Sequence, residues 1–128
     1  MSDIVYLILL LYIAFRAKQF ICDFLLQTSW MALHKGDPGL AGYKALGAHT
    51  AIHALGTLSI MLLFAPYLWW LALVDFVIHG GADRIKAAVT AHYGFNTRGS
   101  AFWYLLGLDQ EIHNFTHLGY IILIVATL

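Results

Sequence analysis

Four short ladders of polar residues recur in this chain at one spacing: Gln19, Asp23 and Gln27; His49 and His53; Asp75, His79 and Asp83; Asp109, His113 and His117. Residues four apart on a helix share a face about one turn from each other, so each ladder makes a polar stripe on its rod. Imidazole and carboxylate suit zinc, iron or manganese, and two helical His residues at this spacing can present two nitrogens to one ion. A single HxxxH says little. Two of them, together with DxxxHxxxD and DxxxHxxxH, form a constellation. The metal ligands expected from it are His49, His53, His79, Asp83, His113 and His117. Asp23, Asp75 and Asp109 are the expected catalytic carboxylates. They would serve as further ligands, as partners that orient imidazoles, or as the base for a metal-bound water. Zinc is the first choice of divalent cation, iron and manganese the alternatives, and hydrolysis the simplest chemistry.

The elements that must carry these ladders are apolar. The chain of 128 residues is 61% hydrophobic, 15% aromatic and 11% charged, against roughly 25% charged in a typical soluble domain. Seven basic residues balance seven acidic ones, which leaves no basic surface for nucleic acid. Cys22 is the single cysteine, so neither an intramolecular disulfide nor a cysteine zinc cluster can form, and it reads as a small buried hydrophobe. No GxSxG, P-loop or dinucleotide fingerprint occurs.

The loop signals "HKGDPG", "APY" and "GFNTRGS" divide the chain into four apolar segments. They predict helices from Ile4 to about Met31, Tyr43 to Phe64, Tyr67 to about Ala91, and Ala101 to the C-terminus, each long enough for the ~20 residues of a membrane span. The expected fold is all-α: a single domain over residues 1–128, an integral membrane four-helix bundle with both termini on the same side. The opening "MSDIVYLILLLYIAF" lacks a basic n-region and a small-residue cleavage pattern, so it reads as a retained span. Lys35, Lys44 and Arg98, with Arg84 and Lys86 beside them, gather at the loops after helices one and three. The positive-inside tendency then puts those loops in the cytoplasm of a bacterial inner membrane, and every ladder in the cytoplasmic half.

Nine Asp and His residues at one depth in hydrocarbon need pairing, water or a cation. Mutual His–Asp hydrogen bonding that merely fixes helix register is the plainer explanation. It weakens as the number of groups to be satisfied rises. Lys18, Lys35, Arg84 and Lys86 read first as helix-end anchors, and second as partners for a phosphate-bearing substrate. Arg16 or Lys18, deeper in an apolar run, is expected to pair with an Asp. Gly80 and Gly81 are expected to allow close helix packing. Trp30, Tyr67, Trp69, Trp70, Trp103 and Tyr104 make an aromatic belt.

The pieces "KQFICDFLLQTSWMALHKG", "HTAIHAL", "DFVIHGGADRIKA" and "LDQEIHNFTHL" resemble the small bacterial and phage membrane proteins grouped as domain of unknown function three-three-zero-seven. The resemblance runs from about Lys18 to Tyr120 and implies a polytopic membrane protein without implying an activity. Gln19 stands where the family pattern has a histidine, which leaves Asp23 as the contribution of helix one. A looser likeness joins the His/Asp ladders to membrane-bound metal-dependent hydrolases.

The function expected is therefore a metal-dependent hydrolase acting on a lipid or membrane-associated substrate from the cytoplasmic side, with membrane lipids as partners and a homo-oligomer possible. The alternatives are an ion- or proton-coupled transporter, a non-catalytic membrane interaction subunit, and an oxidative di-iron enzyme.

Overall fold

The computed structural model describes residues Asp3 to Leu128 and is helical throughout, with no strand among the described residues. Four long helices, α1 (Asp3–Phe20), α3 (Gly39–Phe64), α4 (Leu71–Tyr93) and α5 (Ser100–Ala126), are joined by short connections, and a short helix α2 (Ser29–His34) lies between α1 and α3. Proline and glycine set the boundaries. Extended Pro38 and Gly39 at φ +77° open α3, while Gly94 at φ +64° closes α4 in the left-handed conformation that lacks a steric penalty only for glycine. Pro66 begins a 3₁₀ turn, Pro66–Leu68, so α4 starts at Leu71 rather than at the expected Tyr67.

The first predicted helix is not continuous to Met31. It leaves α geometry after Phe20, continues as one π turn over Ile21–Leu25, and stops; the chain restarts at Ser29. Thr28 explains the restart, because its side chain accepts a hydrogen bond from Met31 N at 3.2 Å, the capping contact that satisfies an otherwise orphaned helix donor.

Cross-contacts set the directions. Arg16 reaches Asn114, Phe15 packs on His117 and Tyr120, Thr57 bonds Asp75, and Tyr67 meets Thr127. Consecutive long helices therefore run antiparallel, and the described ends of the chain lie at the same end of the bundle. That end is filled by an apolar core of Leu11, Phe15, Met61, Leu71, Ile121 and Ile124. The opposite end holds the ladders.

Burial is inverted relative to a water-soluble bundle. His49 and His53 are 0% exposed, whereas Leu63, Val77 and Ile122 are 79%, 69% and 67% exposed. Two segments, Asp3–Leu25 and Gly39–Phe64, are long and apolar enough to cross a membrane. Helices α4 and α5 have the length, at 23 and 27 residues, but do not meet the same test. Their ladders, with Arg84 and Lys86 on α4 and exposed Glu111 on α5, lower the apolar content, so the expected four-helix membrane bundle is met in its helices and in two of its four spans.

Candidate metal centre

The π turn delivers the first ligand. In a π turn the chain takes one extra residue per turn, a geometry frequent at functional sites. Here it holds Asp23 against α3 and α5. Asp23 Oδ1 lies 2.9 Å from His53 Nε2 and 3.4 Å from His49 Nε2. Its Oδ2 accepts from Gln19 Nε2 at 2.7 Å and Gln110 Nε2 at 3.3 Å. His79 stands between two other rings, stacked on His53 at 3.7 Å and on His113 at 3.9 Å between centroids. Gly80 makes this approach possible: a Cβ there would meet Thr50 Cγ2 at 3.2 Å, so α3 and α4 are close beside the ladder. Gly81, expected to share the role, faces nothing within 4 Å.

Two sets of side chains could hold a metal ion. Asp23, His49, His53 and His79 offer one donor atom each, all within 4.8 Å of one another, and His79, Asp83 and His113 form a second set sharing His79. The distances suit a cation. Tetrahedral zinc with ~2.05 Å bonds has ligands about 3.3 Å apart. The Asp23–His53 and Asp23–His49 separations of 2.9 and 3.4 Å bracket that value, and Asp83 lies 3.4 Å from both His49 and His113.

Hydrogen bonding does not satisfy this cluster. Both ring nitrogens of His49 and of His79, with His53 Nδ1 and His113 Nε2, are buried without a hydrogen-bond partner. Buried polar groups are ordinarily paired, and leaving one unpaired costs roughly 1–3 kcal/mol. Of these four histidines only His53 makes a hydrogen bond to an Asp among the described residues, so stapling of helices by His–Asp bonds leaves most of the imidazole nitrogens unpaired.

Charge separates the four ladder carboxylates. Lys18 pairs with Asp75 at 2.8 Å, Lys35 with Asp83 at 2.7 Å, and Lys86 with Asp109 at 2.7 Å. Asp23 and Asp83 both stand among imidazoles, and among the described residues Asp23 is the one of them with no lysine or arginine partner. Lys18 was expected to find an Asp; Lys35 and Lys86, read first as anchors, also turn inward to the cluster. Arg84 remains at the periphery, donating to the Asp37 carbonyl at 2.8 Å.

Two of the expected site residues lie elsewhere. Asp75 Oδ2 accepts from Lys18 Nζ and from Thr57 Oγ1 at 2.7 Å, its Oδ1 accepts from Tyr120 at 3.3 Å, and it is in neither set. His117 accepts from Lys18 at 3.3 Å and stacks on Phe15, outside both sets. These two residues belong to a separate ion-pair centre nearer the apolar core. Asp109 stands differently. Its Oδ1 is unpartnered, 3.3 Å from His113 Nε2, and it lines a recess of about 140 Å³ with Asp23, Asp83 and Gln110.

Comparison of the chain with protein-family models, with curated proteins and with solved structures finds no match.

Proposed function

We propose that this is an integral protein of the bacterial inner membrane that binds a divalent cation, zinc in the first instance, through Asp23, His49, His53 and His79, and hydrolyses a lipid or membrane-associated substrate reached from the cytoplasmic side. The observation that carries the reading is Asp23: among the described residues it has no lysine or arginine partner, it is hydrogen-bonded to His53 Nε2, and it stands beside His49 and His79, whose ring nitrogens lack hydrogen bonds. A cation supplies the missing positive charge and uses those nitrogens as ligands.

The membrane assignment rests on the apolar outer face of all four long helices and on exposed aromatics at both ends, Trp30, Trp103 and Tyr104 at one and Tyr67, Trp69 and Trp70 at the other. A soluble monomer rarely exposes so much contiguous apolar surface. Lys35 and Arg98 in the loops after α2 and α4, with Lys44 and Lys86 on the adjoining helices, orient that end toward the cytoplasm.

A divalent cation held there would acidify a water and polarise an ester oxygen. The chain supplies the rest. Asp109, with its free Oδ1 in the recess, takes the proton. Lys86 holds the other oxygen of Asp109 and keeps Oδ1 turned inward. Gln19 and Gln110 fix Asp23 from the side away from the imidazoles. Transport is less well supported, because the core around Leu11, Met61 and Ile124 closes the far half without a polar side chain to continue the path.

Elemental mass spectrometry of protein purified in detergent without chelators tests the reading. About one equivalent of zinc, iron or manganese is expected, lost in Asp23→Asn and His53→Ala but retained in Asp75→Asn. Metal-free wild-type protein that stays metal-free after incubation with each of these ions overturns it.

A further inference from the structure

Beside the cluster, at the lysine-rich end, lies a cavity of about 580 Å³ between α2, α4 and α5. Its volume falls within the range of small-molecule sites. Lys35, Lys86 and Asp83 line both this cavity and the narrow acidic recess in front of Asp23 and Asp109. Apart from Gln27 and Thr90, the remainder of the wall is apolar, with Leu33, Phe95, Phe102 and Leu105 among the side chains forming it. The cavity thus has a charged end against the cluster and an oily end toward the outside of the bundle.

The more exposed charges at this end are the two lysines, although Asp83 lines the cavity beside them. The Lys35 and Lys86 side chains are 16% and 20% exposed, whereas their partners Asp83 and Asp109 are 2% and 3% exposed. Each ammonium has three N–H donors. Lys35 uses one on Asp83 and one on Gln27 at 3.0 Å, and Lys86 uses one on Asp109. Three of six donors remain, on two cations, at the rim of the recess. A phosphate monoester supplies two negative charges and three terminal oxygens for them, where a carboxylate supplies one charge and two oxygens.

We infer that the substrate is an amphiphile bearing a phosphate monoester, its phosphate between Lys35 and Lys86 and its chain along the wall formed by Leu33, Phe95 and Phe102. The inference rests on the hydrolase proposed above and names its substrate. In the reaction the oxygen of water bonds to phosphorus and the phosphorus–oxygen bond to the chain breaks. Asp109 takes one proton from the water and passes it to the leaving alkoxide, giving a long-chain alcohol and inorganic phosphate without any change of oxidation state.

Isothermal titration of detergent-purified protein, with metal and after chelation, compares decyl phosphate with decanol, decanoate and inorganic phosphate. Decyl phosphate is expected to bind at least tenfold more tightly than each of the others, with saturation at one per chain. Decanol separates binding from simple partitioning, inorganic phosphate tests whether a free ion suffices, and decanoate tests for a general anion site. Equal affinity for decyl phosphate and any one of the three overturns the inference. Phe102→Glu should weaken decyl phosphate at least tenfold and leave metal content unchanged. The Lys35→Gln/Lys86→Gln double variant should abolish the preference for phosphate, and the corresponding Arg pair should retain it. Removing both lysines strands Asp83 and Asp109, so Phe102→Glu and the Arg pair carry the test if that variant does not fold. Metal content measured on the same preparations separates the two ideas. Metal without phosphate preference overturns this inference alone, and phosphate preference in protein that takes up no metal overturns the metal centre while sustaining the amphiphile site.

Discussion

At the scale of single residues, what distinguishes the ladder carboxylates is the position of three lysines. A buried ion pair is held together less by its own net energy than by the cost of breaking it, because the partner left behind is an uncompensated charge in a medium that solvates it poorly. Lys18 and Asp75, with side chains 4% and 2% exposed, are in that position. Lys18→Met should therefore cost about 3–5 kcal/mol. Lys18→Met/Asp75→Leu should recover most of the loss, since it removes both charges. Thermal denaturation of the purified variants in one detergent checks both values, and a double variant no more stable than the single would mean that the pair contributes through something other than mutual compensation. The same residues show the limit of what spacing reveals. Every rung of a four-residue ladder looks alike, so the sequence pattern finds Asp23 and Asp75 together, along with all the imidazoles. It does not separate them, because the difference lies in a lysine 57 positions from Asp75 in the chain. For Lys35 and Lys86 the general tendency of helix-end lysines to face water masked their turn toward the cluster.

At the scale of elements, the long helices were legible because their boundaries are marked by residues with few conformational choices, Pro38, Pro66 and Gly94. The break at residues 26–28 was not, since "FLLQTSW" contains neither glycine nor proline. The available signal was Thr28 followed by Ser29, a capping residue ahead of a short helix, and an apolar run on both sides outweighs it in any reading by hydropathy. The π turn has no sequence signature; it follows from fitting Lys18, Gln19, Cys22 and Asp23 to one interior. Helix packing at the site turns on Gly80. Gly80→Val forces branched carbon against Thr50, and overpacking of this kind costs about 1–3 kcal/mol. Gly81→Ala enters open space one residue away and should be neutral or mildly stabilising. Thermal unfolding and metal content of the pair test whether the α3–α4 approach forms the centre: Gly80→Val should lose both stability and metal, Gly81→Ala neither. A Gly80→Val protein with normal metal occupancy would show that His49 and His79 are brought together by something other than this close contact.

At the scale of the whole molecule, the bundle is polar inside at one end, apolar inside at the other, and apolar around its outer face. Such a body has little free choice of surroundings. In water, exposed Leu63, Val77 and Ile122 would drive association; in a bilayer, the same surface is solvated and only the inward ladders are costly. The antiparallel order then dictates sidedness. If the loop at residues 94–99 is cytoplasmic, the turn at Pro66–Leu68 is on the opposite face, together with the described ends of the chain. Cys22 is buried, so replacing it with Ala gives a background in which introduced thiols report alone. A membrane-impermeant thiol reagent applied to intact spheroplasts should label Tyr67→Cys and should reach Thr97→Cys only after permeabilisation. The reversed pattern would place the lysine-lined cavity on the outer face, and a substrate would then have to come from the outer leaflet. Labelling of both positions in intact cells would mean that the outer face of the bundle is not sealed by lipid. The side from which Lys35 and Lys86 are reached decides which leaflet can supply a phosphate-bearing amphiphile, so this one topological measurement constrains the chemistry as well as the fold.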